Sequence, residues 1–180
     1  MLEAEVLSAA TCRLRPYRTR DIEGLLAVAD DPAVARWMTA RFPHPYTRAD
    51  AETWVALATA VEPAEHFVIE VDGAFAGAAG VMPRRGEFEG IAIFGYWLGR
   101  AYWGRGIATD AARTLSDYAF RARGVRRLEA TVFAPNAASS RVLEKCGFTL
   151  EARMREGVVE RDGTVCDMLL YARLASDAEP

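Results

Sequence analysis

The chain has 180 residues, the size of one ordinary domain, and folding at this length removes about 70% of the unfolded chain's surface from water. Hydrophobic residues make up 51% and charged residues 26%, which excludes a disordered, collagen-like or fibrous protein. The 22 basic and 25 acidic residues give a formal net charge of −3, and this argues against nucleic acid as the main partner because duplex-binding modules carry a positive excess.

Membrane, metal and secretion classes are also disfavoured. Apolar runs stay far below about 18 residues, so no membrane span is expected. Residues 1–5 carry acids and no basic patch before an apolar stretch, so we expect no secretion signal and a cytoplasmic protein. Cys12, Cys146 and Cys166 lack metal-ligand spacing and are interpreted as small buried hydrophobes, so no metal is expected.

The first part of the chain predicts one strand followed by two helices. Residues 10–16 are typical of a strand, and Thr19 is placed to cap a helix whose pattern Pro32 interrupts. Thr47 with Asp50 three residues later resembles a capping box, which predicts a second short helix ending near residue 60.

The middle of the chain predicts a hairpin and a longer strand. Runs at His66–Val71 and at 74–81 flank Asp72-Gly73, a dipeptide that favours tight hairpins. Residues 88–99 are expected to form a third, longer strand.

The remaining elements alternate between helix and strand. Helical spacing predicts a helix over 106–123 that ends at Gly124, and a second over 136–146 that ends at Gly147. Strands are predicted at 128–133, 148–159 and Val165–Leu174, the last two joined as a hairpin.

This order predicts an α/β (α+β) fold with a mixed, mostly antiparallel sheet. A strand–helix–strand crossover makes its two strands parallel, whereas each hairpin makes its strands antiparallel. No repeat, low-complexity tract or long linker occurs, so we predict a single domain over 1–180 with a core at about 10–174. Ligands in such sheets bind beyond the carboxyl ends of parallel strands, here after Leu98 and after Phe133.

A glycine-containing turn follows the first of these strand ends. Trp103-Gly104-Arg105-Gly106 leads directly into the central helix, where backbone N–H groups and the helix dipole would favour an anion. The spacing fits neither a Walker loop nor a dinucleotide fingerprint, and it suits a phosphate or pyrophosphate bound without a metal. A plain tight turn is the alternative.

A polar pair follows the second strand end. Asn136 and Ser139 begin a helix, and Asn136 is a favoured N-cap, so capping alone is one interpretation. Because the ends of neighbouring parallel strands meet, the two loops would form one cleft with an anion site on one wall and a polar pair on the other.

Four motifs in order and spacing resemble the GCN5-related N-acetyltransferases (GNAT), within them the RimJ/RimL type associated with acetylation of ribosomal-protein N-termini. The resemblance is densest over residues 94–148. Its motifs are Gly95-Tyr96-Trp97-Leu98, the segment 103–109, Asn136-x-x-Ser139 and Glu144-Lys145-Cys146-Gly147-Phe148. It implies the GNAT fold, with helices on both faces of the sheet, and an N-acetyltransferase.

The resemblance implies acetyl-CoA as cosubstrate and assigns residues to it. Trp97 and Leu98 would pair through their backbone with the pantetheine arm, and Asn136 would bond the same arm. Gly95 is interpreted either as a bulge in this strand or as a packing glycine. The pyrophosphate would lie on the turn and the first helical residues, namely Gly104, Arg105, Gly106, Ile107, Ala108 and Thr109.

Two positions depart from the family pattern. Trp103 replaces the usual Gln or Arg at the head of the phosphate loop, which leaves binding to the backbone and Arg105. Leu143 stands where many members have the tyrosine that protonates the leaving thiolate. Ser139 matches a serine given this role in RimL-like enzymes, and we interpret it as a hydrogen-bond donor to the sulfur.

The proton of the attacking amine requires an acceptor, and several carboxylates of the chain are candidates for this role. Glu156, in the final hairpin, is the leading candidate, and a plain surface role is the alternative for each of these acids. The resemblance places His44 and Tyr46 near the acceptor amine. The full set of acids is Glu87, Glu89, Glu129, Glu156 and Glu160.

We expect direct transfer in a ternary complex, because a covalent route needs a cysteine activated by a neighbour such as histidine. The leading acceptor is a protein N-terminal α-amine, since its pKa of about 7.7–8.0 leaves it partly neutral, unlike a lysine near 10.4. The alternatives are a small amine such as an aminoglycoside, polyamine or amino-acid derivative, and a non-catalytic acyl-CoA-binding module. A homodimer stays open; no nucleic acid or membrane partner is expected.

Overall fold

A computed structural model describes residues 6–177 of the chain. Residues 1–5, on which the expectation about secretion rests, lie outside the described residues, as do residues 178–180.

Within residues 6–177, eight strands form one mixed sheet in the order β1-β2-β3-β4-β5-β6-β8-β7. All neighbouring pairs are antiparallel except β5 and β6, which confirms the predicted sheet. The bounds are β1 Leu7–Ser8, β2 Arg13–Pro16, β3 His66–Val71, β4 Ala74–Pro83, β5 Ile91–Leu98, β6 Arg127–Phe133, β7 Thr149–Val159 and β8 Val165–Leu174.

Helices pack on both faces of the sheet and bury two apolar clusters. The larger cluster joins α4 to the inner strands, and the smaller joins α1 and α3 to β3 and β4. None of the helices within residues 6–177 is long and apolar enough to cross a membrane. The helices are α1 Asp21–Ala29, α2 Pro32–Ala35, α3 Arg48–Thr59, α4 Ile107–Ala122 and α5 Ala137–Lys145.

Most predicted helix ends are confirmed, and one is wrong. Thr47 and Asp50 form a reciprocal capping box. Gly124 adopts a left-handed conformation after α4, with φ +64°. Thr19 does not cap α1, which begins behind Arg20 without any side-chain cap. The buried Asp21 carboxylate instead accepts hydrogen bonds from the Arg18 N–H and the Arg15 guanidinium. These bonds hold the segment that leads into α1.

Two predicted strands are shorter than expected because turns occupy their ends. A 3-10 turn at Gly86–Phe88 takes up the start of the run predicted at 88–99, so β5 begins only at Ile91. The run predicted at 10–16 is a strand only over Arg13–Pro16.

The parallel strands β5 and β6 separate soon after they begin to pair. Their register covers only Ile91–Ile93 against Arg127–Glu129. Further along, β5 pairs only with β4, and β6 only with β8. A gap therefore opens between the carboxyl-terminal halves of β5 and β6.

Gly95 lies at this gap and is not a bulge. The ladder between β4 and β5 runs through the Gly80–Gly95 pair without a register shift, so the bulge interpretation is wrong. A Cβ atom at Gly95 would meet no heavy atom within 4 Å, so packing against a neighbour does not require glycine either. The residue borders open space.

Candidate active site

A cavity of about 440 Å³ occupies the gap between β5 and β6. Its walls come from β5, the turn before α4, the end of β6, one side of α5 and the segment that follows α2. The two loops singled out in the sequence therefore meet at one cavity.

The turn Trp103-Gly104-Arg105-Gly106, called the diglycine turn below, presents unpaired backbone N–H donors to this cavity. Gly104 and Gly106 have φ values of +70° and +79°, the left-handed conformation that a side chain opposes. Gly106 is the N-cap of α4 and no side chain caps the helix, so its first N–H groups keep their hydrogen-bonding capacity. Both glycines are exposed, and an added Cβ would meet nothing within 4 Å. The turn can therefore seat an anion.

The other predicted members of the turn fall at the same place. Arg105 is exposed beside the ring of Tyr102, with 5.8 Å between its guanidinium carbon and the ring centroid. Ile107 is buried and anchors the start of α4, while Ala108 and Thr109 line the cavity.

Trp103 ties the turn to the end of β5. Its indole N–H donates to the Leu98 carbonyl oxygen over 2.8 Å, a hydrogen bond that sequence reasoning missed. Trp103 thus tethers the turn to the strand that precedes it. Its ring stays partly exposed at the cavity wall.

The resemblance predicts that Trp97 and Leu98 pair through their backbone with the pantetheine arm. Only Leu98 directs its backbone groups toward the gap between β5 and β6. The Gly99 N–H donates to Ala76 and the Arg84 N–H donates to Ile91, so the odd-numbered residues of β5 direct their backbone groups at β4. Trp97 belongs to that set, and its ring packs near Phe75 and Phe42. Tyr96 and Leu98 direct theirs at the gap.

Asn136 and Ser139 stand together at the start of α5. The Asn136 Oδ1 atom accepts a hydrogen bond from the Ser139 N–H over 3.2 Å, which confirms the predicted cap. Capping uses that oxygen and leaves the Nδ2 donors of Asn136 for another partner. Both residues line the cavity, so capping and binding are compatible roles.

A tyrosine that sequence reasoning missed contacts Ser139. The Tyr96 hydroxyl lies 3.0 Å from Ser139 Oγ and 3.1 Å from the Ser139 carbonyl oxygen. Burial raises the pKa of Tyr96 well above its usual range, so this hydroxyl stays protonated at physiological pH. The side chain reaches across the gap from β5 to α5.

The charged side chains around the cavity are all cationic. Arg105, Arg141 and Lys145 line it, and none of its lining residues within the described chain is a carboxylate. Arg141 and Lys145 are one turn apart on α5, so they share a face. The sequence alone predicts this four-residue spacing on one helix face once the helix α5 is assigned.

One wall of the cavity comes from the segment after α2, and the predicted acceptor residues do not contribute to it. Trp37, Met38 and Thr39 line the cavity. His44 and Tyr46, predicted near the acceptor, are absent from its lining. Tyr46 is buried against Phe42, with 5.0 Å between the ring centroids.

Asp30 explains why His44 and Tyr46 point elsewhere. Its Oδ1 atom accepts a hydrogen bond from the Tyr46 N–H over 2.9 Å and lies 3.4 Å from Nδ1 of His44. This carboxylate therefore holds the loop against the end of α1.

An arginine in the turn between β7 and β8 holds the segment after α2 in place. The Arg161 guanidinium donates to the carbonyl oxygens of Ala35, Thr39 and Phe42. The same turn contains the buried Glu160, whose carboxylate lies 3.1 Å from Nε of Arg36. A distant hairpin tip thus fixes one wall of the cavity.

Glu156, the predicted base, does not reach the cavity. It is exposed at an irregular stretch of β7, with φ +52°, and its N–H donates to Asp167. Glu129 is engaged by Arg84 and Arg127, and Glu89 lies by a second cavity formed by the turn before β5 and the end of α4. The structure brings none of the proposed acids to the cavity wall.

The cysteines lie away from the cavity lining. Burial raises the thiol pKa of Cys12 and Cys146 to about 11, so both stay protonated, and Cys166 is only partly buried. Within residues 6–177 no group of three or more His, Cys, Asp or Glu side chains could hold a metal ion.

Comparison with known proteins identifies one family. Residues 12–149 match the family described as "Acetyltransferase (GNAT) domain". The chain is 46% identical over 74 residues to the "Probable N-acetyltransferase YjcK" of Bacillus subtilis, covering 41% of this chain and 40% of that one. It spans only about half the length of two other Bacillus relatives that it matches.

Two further matches cover more of both chains. The "Spermidine N(1)-acetyltransferase" of Escherichia coli is 28% identical over 158 residues, 82% of this chain and 77% of that protein. The structure of Mycobacterium smegmatis RimJ in complex with CoA-disulfide superimposes with a TM-score of 0.80 at 29% identity, covering 96% of this chain and 88% of that one.

Proposed function

Since the chain belongs to the acetyltransferase (GNAT) domain family, we propose that it transfers the acetyl group of acetyl-CoA to a primary amine. The observation that carries this proposal is the uncapped diglycine turn at the start of α4, which opens on the cavity between β5 and β6.

The residues present fit the coenzyme. Its diphosphate is an anion of the kind that unpaired N–H groups and a helix N-terminus stabilise. Arg105, Arg141 and Lys145 add positive charge around the same cavity, and no lining carboxylate of the described chain opposes it. The backbone groups of Tyr96 and the Leu98 N–H face the gap and suit the amide-bearing pantetheine arm, whereas the Leu98 carbonyl oxygen already accepts the Trp103 indole N–H. Asn136 keeps two side-chain donors for that arm.

The acetyl thioester supplies an activated acyl group when the coenzyme is bound. In the transfer, the amine nitrogen forms a bond to the carbonyl carbon, the carbon–sulfur bond breaks and its electron pair goes to sulfur. The Ser139 hydroxyl would donate a hydrogen bond to that developing charge. Since no carboxylate of the described chain lines the cavity, we propose that water accepts the proton of the amine.

Our proposed acceptor is a protein N-terminal α-amine. A polycation such as spermidine is best bound by carboxylates, and the cavity lining offers cations instead. The apolar wall formed by Trp37 and Met38 suits the side chain of a first residue. The resemblance of the sequence motifs to the RimJ/RimL type, which is associated with acetylation of ribosomal-protein N-termini, supports this choice. The relative named a spermidine acetyltransferase keeps a polyamine as the second candidate.

A thiol-release assay with acetyl-CoA tests both the acetyltransferase activity and the class of acceptor. The panel contains peptides that begin with Ala, Ser or Met, the same peptides with a blocked N-terminus, spermidine, an aminoglycoside and single amino acids. We expect release only with free peptide N-termini. Thiol release with spermidine and with no peptide would show that the acceptor is a polyamine and not an N-terminal α-amine. Coenzyme binding without any turnover would favour a non-catalytic binding module.

A further inference from the structure

Tyr96 and Ser139 form a pair of hydroxyl groups at the cavity, and two arrangements of their protons are compatible with the distances. In one, Tyr96 donates to the Ser139 carbonyl oxygen at 3.1 Å and Ser139 Oγ donates to Tyr96 at 3.0 Å. In the other, Tyr96 donates to Ser139 Oγ, which frees the serine proton for a third partner.

Only the second arrangement provides a donor to the cavity. Ser139 lines the cavity, and its N–H is already held by Asn136, so its backbone position is fixed. What remains to be set is the direction of its hydroxyl proton. Negative charge that develops in the cavity favours the arrangement in which both O–H dipoles point toward it.

We infer that Tyr96 is a positioning residue, which donates to Ser139 Oγ and thereby turns the serine proton toward the sulfur of bound coenzyme A. The inference rests on the proposed function and deepens it. Leu143, at the α5 position where the family pattern has a tyrosine, is fully buried, so the tyrosine hydroxyl at this cavity comes from β5 and acts through Ser139.

Tyr96 acts as a hydrogen-bond donor and does not give up its proton. Burial holds its pKa above the usual range, so the tyrosinate is disfavoured in this site. The serine in turn becomes a better donor, because a hydroxyl that accepts a hydrogen bond is polarised by it. The benefit grows with the charge on sulfur, and it therefore favours the transition state over substrate binding.

The first test uses coenzyme A alone and needs no acceptor. The thiol pKa of bound coenzyme A is measured from the ultraviolet absorbance of the thiolate across a pH series, for wild type, Tyr96→Phe, Ser139→Ala and the double variant. We expect each single variant to raise this pKa by about one unit, the value of one hydrogen bond to a charged group, and the double variant to add nothing.

Tyr171→Phe is the matched control. Tyr171 is also buried, and its hydroxyl donates to Glu144 Oε1 over 3.0 Å, away from the cavity lining. We expect it to leave the thiol pKa unchanged. Calorimetric affinity for coenzyme A and the unfolding midpoint, measured for every variant, show whether a change comes from lost binding or lost folding.

Turnover provides the second readout. With the best peptide of the acceptor panel, Tyr96→Phe should lower kcat about tenfold and leave both KM values unchanged, and it should have no effect in the Ser139→Ala background. An unchanged thiol pKa in Tyr96→Phe, or a double variant that exceeds Ser139→Ala, would overturn the inference while leaving the proposed function intact. Failure of the wild type to bind coenzyme A would refute both.

Discussion

Replacing Gly106 by aspartate places a carboxylate directly in the proposed diphosphate site. Gly106 is the exposed N-cap of α4, and a Cβ atom there meets no heavy atom within 4 Å, so the new side chain displaces no neighbour. The substitution therefore changes the charge and the access of the turn without disturbing the core.

The expected loss of coenzyme affinity follows from the hydrogen bonds that the carboxylate obstructs. A hydrogen bond to a charged group contributes about 1.5–3 kcal/mol. Losing two of them costs about 3 kcal/mol or more, and a factor of ten in affinity corresponds to about 1.4 kcal/mol. We therefore expect coenzyme A to bind at least about a hundredfold more weakly, before any repulsion between anions is added.

Gly73→Asp separates this effect from backbone strain. Gly73 has φ +80°, against +79° at Gly106, and its Cβ position is equally open, but it lies in the turn between β3 and β4. A non-glycine residue in this conformation costs about 1–2 kcal/mol at either position. The two variants should therefore lose similar stability.

Calorimetric titration with coenzyme A and urea unfolding of both variants provide the measurement. We expect weak or absent binding in Gly106→Asp, wild-type affinity in Gly73→Asp, and folded proteins in both cases. Wild-type affinity in Gly106→Asp would refute the assignment of the turn as the diphosphate site, and with it the observation on which the proposed function depends.

The other predictions concern the remaining walls of the cavity and the buried thiols. Ser139→Ala should lower kcat about tenfold with little change in coenzyme affinity, and equal rates would remove Ser139 from the mechanism. Gly95→Leu should fill the open side of β5 and raise the KM of the acceptor while calorimetric coenzyme affinity stays the same; an unchanged KM would show that the acceptor enters elsewhere. Arg161→Ala should release the segment after α2 and raise the acceptor KM, with Arg161→Lys intermediate, whereas a loss confined to coenzyme binding would contradict this. Burial raises the thiol pKa of Cys12 and Cys146 from 9.0 to about 11, so only the unfolded chain ionises between these values. Stability in urea titrations should fall as pH rises through that window, and less so when both cysteines are replaced by alanine; a pH-independent midpoint would contradict the assignment.

Local signals predicted most elements because each depends on few neighbouring residues. The Thr47 capping box, the Asp72-Gly73 hairpin and the left-handed Gly124 are set by local backbone chemistry, and all are confirmed. Thr19 failed as a cap because Asp21 is fixed by Arg15, a residue of the neighbouring strand.

The candidate site likewise has parts that local sequence signals predicted and parts that depend on tertiary contacts. The turn before α4 and the Asn136 cap were readable because each precedes a helix whose period is clear. The wall that contains Trp37 could not be predicted, since the segment that carries Trp37 is held by Arg161, which lies far away in the chain and donates to the carbonyl oxygens of Ala35 and Thr39. Glu156 lies in the final hairpin as predicted, but the irregularity of β7 around it arises from pairing with β8 and has no signature in the alternation of apolar and polar residues.

The sequence by itself determined the order of the elements, the glycine turn and the helix caps, because these depend on dihedral preferences and on side chains within one or two turns of each other. Only the tertiary structure decided that β5 and β6 separate after a few residues, that Tyr96 meets Ser139 across the opening, and that the cavity wall carries cations and no carboxylate among the described residues. These features depend on packing between segments distant in the chain, and that packing leaves no local pattern to read.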